Sequence, residues 1–118
     1  MSNVIEISNL SHVYGHGKKK ITALENVFLN INEGENIAFV GPDGAGKSTL
    51  LDIISGIKVI QNGAKVEVLG GSISNSKHRF DIASDIAYMP QGLGKNLYSE
   101  LSVYENIKFF ADLFFCKW

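Results

Sequence analysis

The sequence predicts an α/β fold in which an antiparallel β region comes first and a strand–loop–helix unit follows. Three observations carry this. Between Val4 and Ile31, short β-branched segments are separated by tight polar or glycine turns. From Asn36 a continuous apolar run leads into a glycine-rich loop, Gly41 to Gly46, and then into apolar residues at helical spacing. Towards the C-terminal end, Val103, Ile107, Phe110 and Phe114 fall at helical intervals behind Ser102 and Glu105, a capping-box pair.

The elements follow in order. Val4–Ser8 reads as a strand, with a second short one over His12–Tyr14. Gly15–Lys20 is a glycine-rich basic turn. Extended structure resumes at Ile21–Leu24 and again at Val27–Ile31, closed by the turn Asn32–Glu35. Asn36–Val40 is apolar without alternation, which predicts a strand buried on both faces. A helix spans Lys47–Ser55, with Gly56 placed to end it. Val66–Leu69 is a strand ended by Gly70 and Gly71, His78–Ser84 a short helix, and Ile86–Met89 a strand stopped by Pro90. The last helix runs from Ser102 to about Phe115.

Length and charge narrow the function classes. A chain of 118 residues has room for one modest core. Eleven Lys and Arg against twelve Asp and Glu give a net charge of −1, without the basic excess that nucleic acids or anionic membranes attract. A single cysteine, Cys116, excludes an internal disulfide, and His12, His16 and His78 stand far from it in sequence. No run reaches the roughly 18 apolar residues of a spanning helix. The N-terminus lacks the pattern of a secretory signal, so a cytoplasmic protein is expected.

The chemistry concentrates in the glycine-rich loop. Gly41-Pro-Asp-Gly-Ala-Gly46-Lys47-Ser48 fits G-x-x-x-x-G-K-[ST] at every position. It also sits between an apolar run and a helix, the context the motif requires. Glycines let backbone N–H groups approach phosphate oxygens with no Cβ in the way. The helix beginning near Lys47 adds its unpaired N–H groups and the positive end of its dipole. Lys47 brings a point charge to the β- and γ-phosphates, and Ser48 brings a hydroxyl to Mg²⁺. Thr49 adds a further contact. Gly41, Gly44, Ala45, Gly46, Lys47, Ser48 and Thr49 are therefore the candidate nucleotide-binding residues, with Asp43 among them by position. Phosphates repel the Asp43 carboxylate, so it is expected to face solvent.

With these residues in view, the chain resembles the ATP-binding domain of ATP-binding cassette (ABC) transporters. Gly41–Leu51 looks like that family's Walker A, and Ile54-Ser-Gly56 like the end of its helix. Ile86-Ala-Tyr-Met-Pro-Gln91 looks like its Q-loop, and Leu101–Ala111 resembles the helix that follows in exporters of the ABC-2 and multidrug type. Met89–Tyr98 is most similar to fused bacterial ATPases described as ribosome-associated or multidrug-export proteins.

The resemblance implies a P-loop NTPase core of the ABC type, preceded by an antiparallel β subdomain. It implies ATP and Mg²⁺ as cofactors, Tyr14 as the residue stacked on adenine, and Gln91 as a group approaching Mg²⁺ beside Ser48. It implies a transmembrane permease and a second ATP-binding domain as partners. The location would be the cytoplasmic face of the membrane, with hydrolysis coupled to export. No nucleic acid is expected; a nucleotide-binding module without turnover, or a ribosome-associated ATPase, is the alternative. The family's Leu-Ser-Gly-Gly-Gln signature, Walker B carboxylates and switch histidine are not found. Residues 1–118 thus read as the truncated, N-terminal part of a single such domain, with no catalytic residue of its own.

Five further features have competing readings. Tyr14 and Gln91 are functional or simply structural, with function favoured at both. Lys18, Lys19 and Lys20 read as solvated surface. Phe109, Phe110, Phe114, Phe115 and Trp118 are either a docking surface or a core stripe. Cys116 is an incidental thiol.

Overall fold

The computed structural model describes residues 2–61, 63–92 and 94–115, Phe115 by its backbone alone. Two compact units divide the chain, Met1–Ile82 and Ala83–Trp118.

The first unit is built on a four-stranded antiparallel sheet. Its strands are β1 (Asn3–Tyr14), β2 (Ile21–Asn32), β3 (Lys65–Val68) and β4 (Gly71–Ser72), in the spatial order β2-β1-β3-β4. The four short segments expected before residue 32 are two long strands. What looks like a strand end in the sequence is a bulge. The register slips between the pairs Ile7–Leu29 and Leu10–Val27, where Asn9 has φ 56°, and again before His12–Leu24, where Asn26 has φ 46°. Asparagine tolerates this left-handed conformation better than most residues. Ser11 Oγ accepts the Asn26 N–H at 3.0 Å, which satisfies the donor freed by the bulge. Leu69 and Gly70 join β3 to β4 with φ 50° and 85°, the two positive values of a tight type I′ hairpin.

Helix α1 (Lys47–Ile54) lays one face on the core. Leu50 and Ile53, one turn apart, are buried with Ile7, Leu10, Leu24, Ile31, Val66 and Val68 of the sheet. Gly56, at φ 81°, ends α1 where the sequence predicts, and its N–H donates to Ile53 O at 3.1 Å. Helix α2 (Ser76–Ile82) begins two residues before the expected start. Asn75 Oδ1 caps it, accepting the N–H groups of Lys77 and His78 at 2.9 and 3.2 Å.

Two expected strands do not form. Asn36–Val40 has no regular structure, and Ile37 and Val40 are 49% and 94% exposed. A strand buried on both faces needs pairing at its edges and a packed layer above and below. Among the described residues no strand pairs with this segment, so its apolar character has nothing to pack against. Ile86–Met89 is likewise irregular, with Met89 exposed, for the same reason.

The second unit centres on helix α3 (Val103–Phe115). Its capping box forms in both directions. The Ser102 N–H donates to Glu105 Oε2 at 2.8 Å, and the Glu105 N–H donates to Ser102 Oγ at 3.2 Å. Asn106 is buried and ties down the preceding loop. Its Oδ1 accepts the Tyr98 N–H at 2.8 Å, and its Nδ2 donates to the carbonyls of Tyr98, Leu101 and Ser102 at 3.0–3.2 Å. Tyr98, Phe109 and Phe110 pack their rings together, with centroids 5.1–6.5 Å apart. Phe110 is half-buried in this ring cluster and Phe109 stays exposed at its edge. An apolar groove of about 960 Å³ runs along α3, lined in part by Leu97, Leu101, Ile107 and Phe114. The side chain of Phe115, together with Cys116 and Trp118, lies outside the described residues.

Candidate functional site

The loop before α1 is shaped by two glycines in conformations other residues avoid. Gly44 has φ 82° and Gly46, the N-cap of α1, has φ 93°. At Gly46 a Cβ would also lie 2.2 Å from the Ala23 carbonyl oxygen of β2, so the loop is seated directly on the sheet. The Ala45 N–H donates to Pro42 O at 3.1 Å, closing a turn through Asp43 and Gly44, and Asp43 is exposed. The first helical bond runs from the Leu50 N–H to Gly46 O at 2.9 Å. Helix geometry leaves the N–H groups before Leu50 without an intrahelical acceptor, and they are the natural ligands of an anion.

Lys47 folds back across the loop. Its Nζ donates to the Gly41 carbonyl and, at 2.8 Å, to the Pro42 carbonyl. The ammonium is thus held at the centre of the loop by neutral acceptors, which a polyphosphate oxygen outcompetes through charge. Ser48 lies exposed on the first turn of α1. Thr49 is 7% exposed, and its Oγ1 lies 2.9 Å from the Tyr14 hydroxyl. Its side chain therefore ties the helix to β1, a role its position in the motif does not announce.

Tyr14 ends β1 beside α1 and is 39% exposed. Lys58 Nζ lies 4.8 Å from the Tyr14 ring centroid and 3.9 Å from Asp52 Oδ2. The His12 ring meets Tyr14 edge-on, with centroids 4.8 Å apart at 66°. Hydrogen bonds from Lys58 and Thr49 hold the Tyr14 phenol below its ordinary pKa, and the Tyr14 bond pushes the Lys58 ammonium above its own. Burial, reinforced by the Lys58 charge, lowers the His12 pKa, so this imidazole stays neutral at physiological pH. Gln61 grips the β1 backbone alongside, its Oε1 accepting the Val13 N–H at 2.8 Å and its Nε2 donating to Val13 O at 2.9 Å.

The structure thus brings Tyr14 onto the helix that carries Lys47, Ser48 and Thr49. Gln91 belongs to the other unit, on an exposed bend after Pro90. Sequence reasoning missed Lys58, Gln61 and the neighbourhood of His12. None of them sits in a motif, and only tertiary packing brings them to Tyr14. Among the described residues no group of three or more His, Cys, Asp or Glu side chains converges to hold a metal. No helix among them is long and apolar enough to cross a membrane.

Comparison with known proteins agrees with this geometry. The family model described as ABC transporter matches residues 24–116. The phosphonates import ATP-binding protein PhnC of Fusobacterium nucleatum is 36% identical over 109 residues, covering 91% of this chain and 41% of that protein. The energy-coupling factor transporter ATP-binding protein EcfA1 of Ligilactobacillus salivarius is 41% identical over 90 residues, 75% of this chain and 30% of that protein. Human ATP-binding cassette sub-family A member 10 is 34% identical over 92% of this chain and 7% of its own length. The dimeric ATP-binding cassette MJ0796, solved in a post-hydrolysis state with ADP and Pi, superposes with a TM-score of 0.72 at 26% identity, over 97% of this chain and 49% of that one. The chain therefore spans half or less of the relatives it matches. From the family match across the phosphate loop and the three α-helices behind it, and from the shared cassette fold, the chain belongs to the ABC transporter family as part of its ATP-binding domain.

Proposed function

We propose that this chain binds Mg-ATP through its phosphate loop, as the part of an ABC transporter ATP-binding domain that holds the nucleotide. One observation carries the reading. The loop from Gly41 to Lys47 caps α1 through left-handed Gly44 and Gly46, and places the Lys47 ammonium across its centre. Backbone N–H groups, the helix dipole and one cation then converge on the same small volume, an arrangement suited to a polyphosphate. Thr49 and Ala45 belong to the same cradle, and Ser48 supplies a hydroxyl to Mg²⁺. Tyr14 offers its ring to the base. Mg²⁺, held there by Ser48, would offset part of the phosphate charge.

In a whole transporter this binding would be coupled to hydrolysis and to movement of a substrate through a permease. The relatives named for import and the dimeric cassette support a permease and a second ATP-binding domain as partners, at the cytoplasmic face of a membrane. Binding without turnover by this chain alone is favoured by its carboxylates. Asp43 in the loop is exposed, and Asp52 on α1 pairs with Lys58 at 3.9 Å.

Calorimetric titration of the 118-residue chain with Mg-ATP tests the reading. Lys47→Ala is expected to weaken binding about tenfold or more, since a charge-assisted hydrogen bond is worth about 1.5–3 kcal/mol. Equal affinity in parent and variant would contradict it.

A further inference from the structure

Three groups hold the Tyr14 side chain, and two of them, His12 and Lys58, lie outside the phosphate-loop motif. Thr49 Oγ1 meets the hydroxyl at 2.9 Å. The His12 ring abuts the edge at 4.8 Å, and His12 Nδ1 is buried with no hydrogen-bond partner among the described residues, so this ring serves here as packing. Lys58 Nζ stands 4.8 Å from the centroid, over a face of the ring. A half-exposed tyrosine at the end of a strand is otherwise free to exchange rotamers. Here the hydroxyl, the edge and one face each have a fixed neighbour.

We infer that Lys58 is a positioning residue for the nucleobase: it holds the Tyr14 ring from one side, so that the ring is presented in a single orientation for stacking. The inference rests on the reading of Tyr14 as the base platform. The physical argument is the attraction between a cation and the negative face of an aromatic ring, here at 4.8 Å from the centroid. Asp52, on the preceding helix, also pairs with the ammonium at 3.9 Å. A ring already ordered loses less freedom when a base stacks on it. Lys58 then strengthens binding of a nucleotide without touching its phosphates.

That separation defines the test. The full chain is titrated with Mg-ATP and with inorganic tripolyphosphate, as parent, Lys58→Met, Lys58→Arg and Tyr14→Ala. Lys58→Met is expected to weaken ATP about threefold to fivefold and to leave tripolyphosphate within about twofold, the scale of one cation–ring contact. Lys58→Arg, which keeps a cation able to lie over the ring, is expected to restore ATP binding. Equal losses for both probes would overturn the inference, because Lys58 would then act on the phosphates. Unchanged ATP affinity in Lys58→Met, alongside a loss in Tyr14→Ala, would overturn it and leave the stacking reading standing. Unchanged ATP affinity in Tyr14→Ala would overturn both. Should Lys58→Met not fold, failure of the charge-preserving Lys58→Arg to bind ATP as the parent does would also overturn it.

Discussion

The hydroxyl of Tyr14 lies 2.9 Å from Oγ1 of Thr49, which joins the end of the first strand to the helix behind the phosphate loop. On the proposed reading, the contact would couple the end of the site that takes the base to the end that takes the phosphates. Thr49 is buried, so removing its hydroxyl leaves the Tyr14 oxygen with one partner fewer and no easy replacement. Thr49→Val is expected to destabilise the first unit by about 1–2 kcal/mol, measured by urea unfolding. Stability equal to the parent's would show that the pair contributes nothing.

Gly46 tests the seating of the loop. A methyl group there would strike the Ala23 carbonyl and the Leu24 side chain, and φ 93° is strained for any residue with a Cβ. Both atoms belong to β2, which cannot withdraw without breaking its ladder. Gly46→Ala is expected to cost about 2 kcal/mol or more and to abolish detectable Mg-ATP binding. Gly44→Ala meets no atom within 4 Å, so its smaller cost of about 1 kcal/mol reports backbone strain alone. Thermal melts of the two variants separate the effects.

Asn106 is the anchor of the second unit. One side chain binds the backbone at Tyr98, Leu101 and Ser102, and no apolar residue satisfies those groups. Asn106→Leu is expected to destabilise that unit by about 2–3 kcal/mol. The readout is amide exchange at Tyr98, which should accelerate strongly in the variant and stay unchanged if the loop is held by other means.

The capping box gives α3 a pH dependence of defined sign. Hydrogen bonds from Ser102 hold the Glu105 carboxyl below its ordinary pKa. A lowered carboxylate pKa means that the unfolded state binds the proton more readily. The stabilisation is therefore fully present above the unfolded pKa and is lost as pH falls through the lowered folded value. Helicity by circular dichroism should drop on acidification below about pH 4.5, and Glu105→Gln should flatten the contribution. An acid response identical in parent and variant would remove Glu105 as its source.

Local chemistry made part of this legible. The loop, α1, its glycine stop and the Ser102–Glu105 cap all rest on residues within a few positions of one another, and each stands where the spacing places it. Tyr14 is singled out by the family resemblance alone, and its contact with Thr49 comes from the fold. The strands at 36–40 and 86–89 were misjudged because pairing is non-local: an apolar run becomes a strand only beside a partner. The breaks at Asn9 and Asn26 looked like strand ends because a bulge and a turn use the same residue types. Lys58 and Gln61 carry no signal of their own, since the fold alone brings them to β1.

The most direct measurement of the central claim is a calorimetric series of AMP, ADP and ATP on the parent chain with Mg²⁺. If the Gly41–Lys47 loop holds the β- and γ-phosphates, affinity rises at each added phosphate, with ATP at least about tenfold tighter than AMP, the scale of one charge-assisted contact. Lys47→Ala should then compress the series towards the AMP value. Equal affinities for AMP and ATP would contradict the account, because binding would then rest on the base and the loop would hold no phosphate.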